Sequence, residues 1–167
     1  MKTKEIRKKP NYAFIDSQNL FMGTQKEKWV LDYGKFRLFL RNKYNVKKAF
    51  LFIGYIEPNT KLYRKLQELG YLLIFKNVLE IKQGKKVTYK GNVDAELVLH
   101  TMIEKGNYNK AVIVSGDGDF YCLVEYLADE NKLLKIIAPN SKYSSLLRKY
   151  GDYIVTLGIL KEKLKRE

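Results

Sequence analysis

Short β-branched or aromatic runs, some of them apolar at every position, alternate with longer amphipathic stretches and constrain the fold of this chain more than any other feature of its 167 residues. The runs fall at 12–15 ("YAFI"), 49–54, 71–75, 111–114 ("AVIV") and 133–138, with a sixth at 153–156. A strand that is apolar at every position has no face to offer water, which predicts burial on both sides. The stretches between the runs predict helices at 33–43, 59–69, 92–105, 118–130 and 143–149. In the fourth of these, Phe120, Leu123, Val124 and Leu127 recur at i, i+3, i+4 and i+7 and form one apolar stripe. Strands and helices alternating in this way predict an α/β fold of three layers, a doubly wound and mostly parallel sheet between two helical layers. One segment departs from the pattern. In 78–89, "VLEIKQGKKVTY", Gly84 separates two half-alternating arms, which predicts a basic β-hairpin or flap. A single domain over 11–157 accommodates these elements, between a basic arm at 1–10 and a charged tail at 158–167.

Charge narrows the partners. Lys and Arg number 32 against 18 Asp and Glu, a net +14, and such an excess favours a polyanion, either nucleic acid or an acidic membrane surface. No stretch approaches the ~18 apolar residues of a membrane span, and the opening "MKTKEIRKKP" holds no apolar region for a signal peptide. The expectation is a cytoplasmic protein with no membrane partner. Cys122, the single cysteine, excludes an internal disulfide and is expected as a buried core thiol in an apolar helix. An exposed face on the 33–43 helix would suit a homodimer, although no pattern compels one.

Against this basic background the acids stand at particular places. Asp16 directly follows "YAFI"; Asp117 follows "AVIV" after Ser115-Gly116, with Asp119 two residues on. Ligands of open parallel sheets bind beyond the carboxyl ends of the strands, where the winding order reverses. In a strand order of 3-2-1-4-5 the first and fourth strands are neighbours, so Asp16 and Asp117 emerge together at that point. Asp94 arrives by another route. In "KGNVDAELVLH", Asn92 is a good N-cap and Asp94 lies in the first helical turn. It shares a face with Leu97, Val98 and Thr101, the face that packs on a sheet, whereas Glu96 lies nearly opposite, on the surface.

Two carboxylates about 4 Å apart repel by roughly 4 kcal/mol at an effective dielectric of 20. Several in one pocket therefore need protons or cations. With no His or Cys beside them the donors are all oxygen, which suits Mg²⁺ or Mn²⁺. Such an ion bridges to phosphate oxygens and activates water, while a basic exterior holds the rest of a polyanion. The candidates for that exterior are Lys82, Lys85, Lys86 and Lys90 of the flap and Arg7, Lys8 and Lys9 of the arm. Asn19, three residues after Asp16, is placed either to orient Asp16 or a water, or to cap a helix.

Competing motifs fail on particular residues. "DGDFYC" begins like a calcium loop, but Tyr121 and Cys122 stand where an oxygen ligand and a glycine are required. Neither a P-loop nor a dinucleotide-binding glycine pattern is present. His100, the single histidine, lies four residues after Glu96, and an i, i+4 pair is the plain reading.

Three segments in order, "YAFIDSQNL", "KGNVDAEL" and "VIVSGDGDF", resemble the NYN domain, in particular its LabA-like branch within the PIN-like nuclease superfamily. The resemblance runs from about residue 12 to residue 156 and implies a PIN-like (Rossmannoid) sheet, a Mg²⁺ or Mn²⁺ site and metal-dependent ribonuclease activity on RNA. The alternative is a noncatalytic RNA-binding or regulatory module. By position, Asp16 matches the acid of the first strand and Asn19 the nearby amide. Asp94 matches the acid of the middle helix, and Asp117 and Asp119 the acids at the end of the fourth strand. The resemblance implies that the four acids hold the metal and act with Asn19 in catalysis, and that Ser115 bonds a carboxylate or a substrate phosphate. Many relatives carry one further acid, six residues after the position of Asp94, where this chain has His100. That departure bears on a second metal ion and favours the noncatalytic alternative.

Overall fold

The computed structural model describes residues 9–84 and 86–167. Most of the basic arm, with Arg7 and Lys8, lies outside the described residues, as does Lys85. The chain runs β1 (Asn11–Asp16), α1 (Ser17–Lys26), α2 (Tyr33–Tyr44), β2 (Val46–Tyr55), α3 (Thr60–Glu68), β3 (Tyr71–Asn77), β4 (Leu79–Gln83) and β5 (Lys86–Lys90). It continues through α4 (Asp94–Ile103), β6 (Ala111–Val114), α5 (Tyr121–Asp129), β7 (Leu133–Ala138), β8 (Ile154–Thr156) and α6 (Lys161–Leu164). Six strands form one sheet in the order β3-β2-β1-β6-β7-β8, and every neighbouring pair is parallel. The first five strands of that sheet thus follow the order 3-2-1-4-5, and β8 adds a sixth at the far edge.

Period-two alternation sorts each central strand between two cores. Phe14, Phe50, Phe52 and Ile113 face one side, against Leu97 of α4 and Val124 and Leu127 of α5. Ala13, Ile15, Leu51, Val112 and Val114 face the other, against Leu20 of α1, Phe36 and Leu40 of α2, and Leu66 of α3. Because both faces are covered, β1 and β6 read as unbroken apolar runs. The hairpin β4–β5 stands apart as a two-stranded antiparallel sheet turning at Gly84. Among the described residues no helix is long and apolar enough to cross a membrane.

Three elements differ from the sequence reading. Helix α1 is absent from it because the helix buries only Ser17, Leu20, Gly23 and Thr24. One large apolar residue makes no stripe. Contact here depends on smallness: a Cβ on Gly23 would lie 2.2 Å from the Cβ of Pro139. Gly23→Ala should therefore destabilise the fold by ~1–3 kcal/mol through overpacking. Urea denaturation would show a lower midpoint at unchanged slope, and a parental midpoint would contradict so close an approach. The 143–149 helix is instead a 3₁₀ run, Ser145–Tyr153, kinked at Tyr150. Cys122 is exposed rather than a core thiol. It lies two positions from Phe120, about 200° round a helix, and so faces away from the buried stripe.

Candidate metal centre

Strands β1 and β6 pair directly, with Ile15 opposite Val114, and the chain leaves both at the point where the winding order reverses. Each exit is turned by its own acid. The Asp16 Oδ1 accepts from the Asn19 backbone N–H at 3.0 Å and starts α1. The Asp117 Oδ1 accepts from the Asp119 N–H at 3.0 Å and starts the 3₁₀ turn Gly118–Phe120. Asp94 begins α4. The Asn92 Oδ1 accepts from its N–H at 2.8 Å, and the Asn92 Nδ2 donates to its Oδ2 at 2.8 Å. Leu97 and Thr101 of the same helix are fully buried, which aims the Asp94 end of the face over the strand ends.

The carboxylates of Asp94, Asp117 and Asp119 each offer an oxygen within 4.8 Å of the other two. Asp16, Asn19, Asp94, Gly116 and Asp117 line one cavity of about 370 Å³, with Asp119 outside it at the exposed edge. Asp16 is not one of the three mutually close acids; it is buried, 5% exposed, and lines the same cavity as Asp94 and Asp117. The Ser115 Oγ donates to the Asp16 Oδ2 at 3.5 Å and accepts from the Asp117 N–H at 3.2 Å. The Asn19 Oδ1 accepts from the Gly116 N–H at 2.9 Å. Asn19 and Ser115 thus tie the two strand ends together. The glycines of "SGDG" serve the same packing, since a Cβ on Gly118 would lie 2.4 Å from the Ser144 Oγ.

Burial, and after it the crowding of acids, favours the protonated form of two of them. Burial pushes the Asp16 carboxyl up to about 6; the Asn19 N–H opposes this, and the charges of Asp94 and Asp117 add to it. Asp94 is also held above its ordinary value, first by burial, with the Asn92 amide opposing and Asp117 and Asp119 reinforcing. Three converging carboxylates, all oxygen and short of cationic partners, fit a hard divalent cation of the Mg²⁺ or Mn²⁺ kind.

Several residues predicted for the site lie elsewhere. Lys82, Lys86 and Lys90 are exposed on the hairpin and do not line the cavity. The register, Lys82 opposite Val87 and Lys90 opposite Leu79, puts Lys82 on one hairpin face and Lys86 and Lys90 on the other. Lys82 pairs with Glu80 at 3.2 Å. The Glu96–His100 pair does not form as the main contact: Glu96 takes Lys76 at 3.0 Å, and the His100 ring stands edge-on to Phe52 at 5.6 Å. A strand lysine outcompetes the helix neighbour because β3 ends beside α4. The cations that do line the cavity are Lys26 and Lys142, beside Gln18 and Asn140. Asn140 is buried; its Nδ2 donates to the Gly23 carbonyl at 2.9 Å and its Oδ1 accepts from the Lys142 N–H at 2.8 Å. The available signal was position, since "APN" ends the β7 run as Asp16 ends β1.

A doubly wound α/β chain with clustered acids at the sheet's switch point is the class that fold and site define. The NYN domain family matches residues 12–158; the chain belongs to that family, on its LabA-like branch. It is 24% identical over 160 residues to the low amplitude and bright protein LabA of Synechococcus elongatus, covering 92% of this chain and 86% of that protein. A crystal structure of a protein of unknown function from Vibrio parahaemolyticus shares the fold with a TM-score of 0.76 at 20% identity, over 99% of this chain and 100% of the other.

Proposed function

We propose that this chain is a metal-dependent endoribonuclease whose cavity at the ends of β1 and β6 hydrolyses RNA phosphodiester bonds. The observation that carries the reading is the grouping of Asp94, Asp117 and Asp119 within 4.8 Å, beside buried Asp16. The three would hold the cation, and Asp16 would add its charge beside them. A divalent ion bound there supplies Lewis acidity to phosphate oxygens and lowers the pKa of water. The protein's own groups do the rest. The Asn19 oxygen is committed to Gly116, so its contact with a substrate oxygen falls to the Nδ2 donor. Lys26 and Lys142 would hold phosphates on either side of the scissile bond. Lys82, Lys86 and Lys90 would steer the strand from outside the cavity, in keeping with the net charge of +14.

End-labelled single-stranded RNA tests this directly. Products are expected with Mn²⁺ or Mg²⁺ and none with EDTA. Cleavage that persists in EDTA would remove the metal from the reading. The second reading, a noncatalytic RNA-binding module, is favoured by His100 packing on Phe52 at a position where many relatives carry an acid. RNA binding with no product under any ion or on any substrate would favour it.

A further inference from the structure

A second and larger cavity opens beside the acids. It is an apolar groove of about 900 Å³ between α1, α3 and the β4–β5 hairpin. Gln18 and Val93 line both it and the acidic cavity, so the groove begins one residue from Asp94. Its walls carry Phe21, Leu62, Val87 and Tyr89, with Phe52 at the floor. Phe21 is 56% exposed and Tyr89 43%, and both belong to the one groove; contiguous exposed apolar surface, unlike scattered single residues, marks a binding site. Lys65 and Arg166 also line it.

Resting on the ribonuclease reading, we infer that this groove receives the unpaired nucleobases next to the phosphate held at the acids. Three observations select this occupant. The groove is continuous with the candidate phosphate site, so a strand held there leads its neighbouring bases into it. Exposed aromatic faces suit bases of any sequence, because every base has a π-face. The cations at the groove complement phosphates, in a chain of net charge +14. A duplex keeps its base faces stacked inside and cannot present them to Phe21 and Tyr89. The volume lies at the upper end of the ~300–1,000 Å³ of ligand pockets, so more than one base fits.

The test uses the full chain carrying Asp117→Asn, labelled oligouridine, an abasic strand of equal length and a blunt RNA duplex, read by fluorescence anisotropy. Phe21→Ala and Tyr89→Ala should each weaken oligouridine binding roughly tenfold and leave the abasic strand unaffected. Phe21→Trp should retain binding where Phe21→Leu does not, which separates stacking from simple filling. Both positions are exposed, so equal melting temperatures are expected. Equal affinity of all variants for oligouridine, or a duplex bound as tightly as the single strand, would overturn the assignment. So would a dimer that Phe21→Ala turns into a monomer, because a second copy would then cover the groove. With Asp117 restored, metal-dependent cleavage at parental rate by both Ala variants removes the groove alone. A parent that neither binds nor cleaves RNA removes the ribonuclease reading as well.

Discussion

Asp117→Asn should lower RNA cleavage roughly a thousandfold, ~4 kcal/mol of barrier, and leave RNA affinity intact or tighter. The substitution keeps the size of the side chain and an oxygen able to accept from the Asp119 N–H, so the turn at Gly118–Phe120 survives. What it removes is one full charge from the three acids that would hold the cation. It also removes a negative charge that faces the phosphates of bound RNA, which is why affinity should not fall. Single-turnover cleavage and anisotropy on the same RNA measure the two effects separately. A variant that cuts at the parental rate would place the chemistry elsewhere in the molecule.

The second large effect is on stability, and it follows from Asp16. Burial lifts its carboxyl to about 6 in the fold, from an ordinary aspartate value of 3.8. Between those values the folded state binds more protons than the unfolded one, so stability falls as pH rises through the window. Below pH 3.8 this group costs nothing; above about 6 its cost is complete, about 3 kcal/mol for two pKa units. In chelated buffer Asp16→Asn should therefore be more stable than the parent by ~2–3 kcal/mol at pH 7.5 and no more stable at pH 4. The Asn side chain keeps the acceptor for the Asn19 N–H, so the start of α1 is preserved. Mn²⁺ or Mg²⁺, binding only the folded state, should narrow the gap at pH 7.5 by stabilising the parent. Denaturant melts at the two pH values, with and without ion, measure this. A parent whose stability rises from pH 4 to 6 would show that the burial of Asp16 is compensated by other groups.

Legibility in the sequence followed the range of the interactions. The central strands were visible because burial on both faces forces every position to be apolar, a demand written in four to six consecutive letters. Asp16, Asp94 and Asp117 were visible for a related reason, since each stands at the end of a local pattern that fixes where its backbone emerges. Helix α1 escaped because its packing uses the smallness of Gly23 against Pro139 rather than an apolar stripe. The hairpin was visible as a hairpin, but not the face that each of its lysines occupies. Cys122 was misplaced because an apolar neighbourhood in sequence spans the whole circumference of a helix, and only one side of it is buried.

The sequence by itself determined the alternation of strands and helices and the acids at the strand ends, because each depends on residues close together in the chain. Only the tertiary structure decided which acids converge within 4.8 Å, which is buried beside them, and which cations line the cavity. Those choices depend on contacts such as Asn140 with Gly23 and Asn19 with Gly116, 117 and 97 residues apart. Distances of that kind are set by how layers pack, and no local spacing encodes them.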